Sequence, residues 1–276
     1  MKGVVVLGAG FTGHRVVRLL QAKSIHVVWT NRDGRDGGVP FNVALGNFNC
    51  LDRLISPGAH VLISIPTLRT TTGLSDLTPA LADKLKDLHP ARVVYLSTTG
   101  VYGDARFVDE HTIPAPRTER EQLRVWAEAA VQNGPWSSLV LRPAAIYGPG
   151  RGIHAAMQAG QFQLSPDPNN FVSRIHVDDL AAIVGAALFS NLEGAYPVAD
   201  KEPCTSLEAA QFCATLLGIS LPATAPIAEL GETRRADRRV DGSAIGTLLK
   251  TQLRYPSYRT GFPASLAAED LERSIS

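Results

Sequence analysis

Lysine is scarce in this chain. Six of its 27 basic residues are Lys, and none lies between Lys86 and Lys201, so chemistry that needs an ammonium in the middle of the sequence has no candidate. The other 21 are Arg, whose planar fork suits phosphate and carboxylate groups, although a coding bias would produce the same count. Cysteine is scarcer still. Cys50, Cys204 and Cys213 follow no metal-ligand spacing and are too few for a disulfide framework, which fits a reducing, cytoplasmic location. Long apolar runs are missing as well: the longest, Leu180 to Phe189, is too short to cross a bilayer. A formal net charge of +1 supplies no field to attract nucleic acid or an anionic membrane. Met1-Lys2-Gly3 runs straight into an apolar segment, so no leader is expected, and neither a P-loop nor a G-x-S-x-G elbow occurs.

What is present is a globular chain of 276 residues, 45% apolar and 19% charged, long enough to bury a sizeable core. Val4 to Leu7 reads as a buried strand, and Phe11 to Lys23 carries apolar residues at helical spacing. Strands are predicted at Ile25–Thr30, more weakly at Phe41–Leu45, and at His60–Ile65, Arg92–Ser97 and Ser138–Leu141. Helices are predicted at Leu77–Leu88 and Glu119–Asn133. This alternation implies an α/β fold, a doubly wound parallel sheet of Rossmann type. After Pro149 the rhythm changes, with helices expected at Ala155–Ala159, Val177–Phe189, Ser206–Leu217 and Asp241–Lys250; Thr205 and Glu208 have capping-box spacing. The expected organisation is a dinucleotide-binding unit over residues 1–150 and a small substrate-side lobe over 151–276. A last strand from about 170–200 returns to the sheet, making one compact unit.

Gly8-Ala9-Gly10-Phe11-Thr12-Gly13 is a G-x-G-x-x-G run placed directly after a strand and opening a helix, the context that gives the motif meaning. Gly8 permits the turn, Gly10 lets backbone N–H groups approach a pyrophosphate, and Gly13 allows close helix–sheet packing. With Phe11 and Thr12 they form the expected phosphate loop. An NAD site usually places a carboxylate at the end of the second strand, where this chain has Thr30-Asn31-Arg32. Arg32, supported by Arg35, suits a 2′-phosphate, so NADP(H) is favoured over NAD(H), and Asn31 joins the expected cofactor-binding residues. The alternative is a solvated Arg32, with Asp33 taking the ribose.

Four further runs carry a family resemblance: Leu96-Ser97-Thr98-Thr99-Gly100-Val101-Tyr102-Gly103, Leu141-Arg142-Pro143 with Ile146-Tyr147-Gly148-Pro149, Ile175-His176-Val177-Asp178-Asp179-Leu180, and Tyr255-Pro256-Ser257-Tyr258-Arg259 with Gly261. With the glycine loop, and in this order, they resemble the extended and atypical short-chain dehydrogenases/reductases, which include NAD-dependent epimerases and dehydratases. The resemblance implies that Ser64 and Pro66 line the cofactor channel, that Pro143 and Ile146 lie near the nicotinamide, and that Thr98 is the hydroxyl orienting a substrate oxygen. It also implies a Tyr followed four residues later by Lys. None of the six tyrosines has a Lys four places on. Matching Ala127-Glu128 to the family's small-residue-Glu pair puts Arg120 in the tyrosine position and Arg124 in the lysine position. Arg124 could still hold ribose or pyrophosphate, whereas Arg120 cannot act as a phenolic acid. Thr99-Gly100 replaces the Asp-Glu pair of dehydratases, which disfavours that reaction.

Tyr102 is the nearest remaining phenol, a displaced proton donor or a side chain packed beneath the loop. Tyr147, beside Arg142 and Arg151, poses the same choice. His176, Asp178 and Asp179 are too few for a metal site, and Asp178 reads better as a helix N-cap. Arg234, Arg235, Arg238 and Arg239 either bind an anion or form a solvated face. The expected function is an NADP(H)-dependent oxidoreductase or epimerase-like enzyme with a small-molecule substrate, acting as a monomer or homodimer. In the second case the helices near Leu81 and Ala127 would pair. The rival is a non-catalytic NADP(H)-binding sensor.

Overall fold

Val4–Leu7 (β1) is buried along its whole length because the sheet covers it on both edges and helices cover it on both faces. The computed structural model describes residues 3–71, 73–226 and 237–275 of the chain. Around β1 stand Val27–Asn31 (β2), Val39–Pro40 (β3), His60–Ile63 (β4), Arg92–Leu96 (β5), Ser137–Pro143 (β6) and Gly194–Val198 (β7). They form one parallel sheet in the order β7-β6-β5-β4-β1-β2-β3, a doubly wound arrangement whose switch point lies at β1.

The period-two alternation of β1 divides the core. Val4 and Val6 face Val16, Val17 and Leu20 of the helix Phe11–Ala22 (α1) and Leu180, Val184 and Leu188 of Val177–Leu188. Val5 and Leu7 face Leu81 and Leu85 of Thr78–Leu88 (α2) and Ala127 and Val131 of Glu119–Gln132 (α3). Burying each such aliphatic side chain contributes about 1.5–3 kcal/mol. Leu81 and Ala127 are fully buried in this core, so only the outer faces of α2 and α3, where Trp126 is exposed, remain for a second subunit. The smaller lobe has its own cluster around Tyr147, Cys213, Tyr258 and Phe262, packed between Ser206–Leu217 and the last helix, Tyr258–Ile275.

Two local expectations are corrected. The third strand is not Phe41–Leu45 but the short β3 before it. At Val43–Leu45 the chain makes a 3-10 turn instead, because Asn42 caps the Ala44 N–H and Gly46 ends the turn in the left-handed region. The N-cap of Val177–Leu188 is His176, whose Nδ1 accepts from the Asp178 N–H at 3.2 Å; Asp178 sits inside the first turn. The predicted capping box of Thr205 and Glu208 is present, and an unforeseen second one, Thr118 with Glu121, starts α3. Among the described residues no helix is long and apolar enough to cross a membrane.

Candidate cofactor and substrate site

The carboxyl ends of β1, β2, β4, β5 and β6 bring the expected site residues to one edge of the sheet. Gly8 turns the chain at φ +90°, and a Cβ there would stand 2.9 Å from the Ser64 carbonyl oxygen. A Cβ on Gly13 would come within 2.6 Å of the Gly8 carbonyl oxygen. On Gly10 it would meet nothing within 4 Å, so that glycine keeps space open. Thr30 at the end of β2 suspends the loop: its Oγ1 accepts the Gly8 N–H at 3.2 Å, and its carbonyl accepts the Ala9 N–H at 2.7 Å. The N-terminus of α1 has no side-chain cap and no acid in its first turn, which leaves its N–H groups and positive dipole end for an anion.

Beyond β2, Asn31 is occupied in closing its own loop. Its Oδ1 accepts the Gly34 N–H at 2.6 Å, and its Nδ2 donates to the Arg35 carbonyl at 2.7 Å. Arg35 Nε pairs with Asp33 Oδ2 at 2.7 Å, and this hydrogen bond holds the Asp33 carboxyl below its usual range. Arg32 is exposed and makes no ion pair among the described residues. Ser64 is half-buried and tied to β1 by its N–H to the Leu7 carbonyl at 2.9 Å. Pro66 is exposed, Pro143 is buried, and Ile146 is half-buried against the core.

Thr98 is half-buried at the carboxyl end of β5. Its Oγ1 accepts the Gly100 N–H at 3.1 Å, which fixes the side chain and leaves the hydroxyl proton free to donate. Tyr102 has no exposed surface. Its hydroxyl accepts from Arg142 Nη1 at 3.1 Å, and burial pushes the phenol above its ordinary pKa. Arg142 in turn grips Glu128, with Nη2 to Oε2 at 2.7 Å and Nε to the two carboxylate oxygens at 3.1 and 3.2 Å, while the Ser97 hydroxyl donates to Glu128 Oε1. Tyr102 is therefore a packed member of a buried network, with no face for a substrate. Tyr147 is likewise buried, pressed beneath Gly261 and raised in pKa by burial.

The two arginines in the dyad positions part company. Arg120 is exposed on the first turn of α3. Arg124 is buried; its Nη1 lies 3.3 Å from Asp76 Oδ2 and donates to the Ile65 carbonyl at 3.2 Å and to the Tyr95 hydroxyl. It braces the loop that carries Ser64 and Pro66 from behind. Tyr95, buried beside it, is pushed up to about 12.

His176 and Asp179 serve the lobe's architecture: Asp179 accepts the Arg254 and Tyr255 N–H groups at 2.7 and 2.9 Å. The described residues contain no group of metal-ligating side chains. Of the arginine cluster, Arg234 and Arg235 lie outside the described residues. Of the other two, Arg238 is buried and Arg239 half-buried. Arg238 donates to the carbonyls of Thr99 at 2.6 Å, Ala105 at 3.1 Å and Gly103, while Arg239 lies 3.3 Å from the Phe171 ring centroid. The bracing roles of Thr30, Glu128 and Arg238 were not foreseen. Each acts through a partner distant in sequence, and no local spacing marks such a residue.

No family model matches the chain. Protein YeeZ of Escherichia coli K12 is 27% identical, over 93% of this chain and 97% of its own. A solved structure of a functionally unknown conserved protein from Silicibacter pomeroyi is 31% identical, with TM-score 0.81 and coverage of 97% of this chain and 99% of that one. At lower identity the fold recurs in MoeE5 bound to UDP-glucose and NAD (22%, TM-score 0.79, 99% and 100% covered). It recurs again in the human epimerase family protein SDR39U1 with NADPH (18%, TM-score 0.80, 96% and 99% covered). The chain thus shares a Rossmann-type fold with these NAD- and NADPH-bound proteins, and it belongs to one family with the Silicibacter pomeroyi protein.

Proposed function

We propose that the protein binds NADP(H) on the glycine loop and uses it as an oxidoreductase or epimerase-like enzyme on a small substrate. The observation that carries this reading is the uncapped, acid-free start of α1 facing the space beside Gly10, with an unpaired Arg32 at the end of β2. The residues fit the group: the α1 N–H groups and Gly10 suit the pyrophosphate, and Arg32 suits a 2′-phosphate. Asp33, the rival ribose ligand, already has Arg35 on one oxygen. Neighbours of the fold are described with NAD and with NADPH, so the preference between them rests on Arg32.

When bound, the dinucleotide supplies or accepts the hydride. Thr98 donates a hydrogen bond to the substrate oxygen, its rotamer set by the Gly100 N–H. Arg120, exposed near the start of α3, stabilises negative charge developing there. Tyr102 and Arg124 take no part in proton transfer, being held by Arg142 and Asp76. The test is titration of NADPH and NADH into the protein and into Arg32→Ala. Loss of the 2′-phosphate contact weakens NADPH by about 10- to 100-fold and leaves NADH nearly unchanged. Equal effects on the two would refute the assignment.

A second reading has its own observation. With Tyr102 sealed and Arg124 ion-paired, both groups that could replace the usual dyad are committed to structure. A sensor would bind NADPH tightly yet oxidise none of it across a panel of carbonyl substrates, and Thr98→Val would leave that binding unchanged. Measurable turnover abolished by Thr98→Val would decide for the enzyme.

A further inference from the structure

The guanidinium of Arg151 lies 5.1 Å from the ring centroid of Phe11, the residue between Gly10 and Thr12 in the glycine loop. Arg15 lies 5.2 Å from the same centroid, and its charge is answered by Asp178 at 3.3 Å. Arg151 is exposed and has no such partner among the described residues. Its position is built with care. Gly148 and Arg151 exchange backbone hydrogen bonds at 2.9 Å each, and the Gly150 N–H donates to Glu269 of the last helix at 2.7 Å. Gly148, Gly150 and Gly152 all have positive φ, so the strap over 148–152 takes a path that side chains would not follow. A Cβ on Gly148 would reach 3.4 Å from the Phe11 ring, which brings the strap against the loop. A Cβ on Gly150, as on Gly10, would meet nothing within 4 Å, so the space beside both is open.

An uncompensated guanidinium held over an aromatic ring at the mouth of an uncapped helix N-terminus is an anion receptor in waiting. The ring contact orients the intrinsically planar fork, and its N–H edge remains available for bidentate bonds to phosphate oxygens. We propose that Arg151 is a second grip on the dinucleotide, reaching from the lobe side to the pyrophosphate that the α1 N–H groups hold. The inference rests on the dinucleotide reading. It divides the labour between two arginines: Arg32 distinguishes the 2′-phosphate, and Arg151 binds what NADPH and NADH share. Because the strap is latched by Glu269, the last helix places this grip.

The experiment titrates NADPH, NADH, ADP-ribose and 2′-AMP into wild type, Arg151→Gln and Arg151→Lys, with ligand-free melting curves for each protein. Arg151→Gln weakens the three pyrophosphate ligands alike by about 10- to 100-fold. It leaves 2′-AMP and the ligand-free melting temperature unchanged, and Arg151→Lys recovers part of the loss. Equal affinity of wild type and Arg151→Gln for NADPH would overturn the proposal and leave the cofactor reading standing. So would an equal loss of 2′-AMP, the mark of a loop that has merely shifted. Failure of wild type to bind any dinucleotide would overturn the cofactor reading itself, and this proposal with it.

Discussion

Replacing Glu128 by Leu should be among the most damaging single changes in the molecule. Glu128 is 3% exposed and Arg142 7%, and three short contacts join them, with Ser97 and Tyr102 completing the network. Removing the carboxylate strands a buried guanidinium and orphans the Ser97 hydroxyl. Breaking a buried pair in this way costs about 3–5 kcal/mol. For a chain of this size that is a fall in melting temperature of roughly 6–20 °C. Urea unfolding followed by tryptophan fluorescence measures it. Glu128→Leu with Arg142→Met removes both charges and keeps apolar volume, so the double variant should regain most of the loss, because the pair's attraction largely offsets its own desolvation. Glu128→Gln, which still accepts from Ser97, should fall between. A Glu128→Leu protein within about 1 kcal/mol of wild type would refute the reasoning, as would a double variant no better than the sum of its singles.

Gly13→Ala places a methyl 2.6 Å from a backbone oxygen that cannot swing aside; dinucleotide affinity should be lost, with about 1–3 kcal/mol of stability, as titration and melting would show. Full NADPH affinity in that variant would contradict the close packing of α1 on the loop. Asp200 is buried, and burial pushes its carboxyl up to about 7, above the unfolded value of about 4. Between those values the folded state holds a proton that the unfolded chain has released, so this group's contribution to stability declines as pH rises from about 4 to about 7. Asp200→Asn removes that slope, and its stability relative to wild type should increase from pH 5 to pH 8. A pH-independent difference would count against a protonated Asp200.

Legibility in the sequence followed the range of the physics. Val4–Leu7, the G-x-G-x-x-G turn and the amphipathic run from Phe11 are dictated by neighbours within a few residues, and they stand where the pattern places them. Phe41–Leu45 failed because an Asn42 cap, worth little in isolation, outcompeted a short apolar run with a single edge to pair on. The site was legible as a set of positions and illegible as a set of states. Arg124 and Arg120 differ in no local feature, yet one is buried on Asp76 and the other is exposed, since Asp76 arrives from an element almost fifty residues away. Arg238 departs from the solvated alternative for the same reason. Charge in a row reads as a wet face until the carbonyls of residues 99–105 are seen to collect around Arg238.

That last contact has a bearing on how the molecule is made. Arg238 reaches back 139 residues to Thr99, whereas the glycine loop closes against Thr30 across 22. Loop closure over the longer span is the slower event. On a ribosome the glycine loop can therefore assemble while the turn after Thr98 still lacks its clasp. The glycine loop would then take shape early in the life of each chain, whereas the turn held by Arg238 and the strap latched by Glu269 would be completed only when the final quarter has folded back across the sheet.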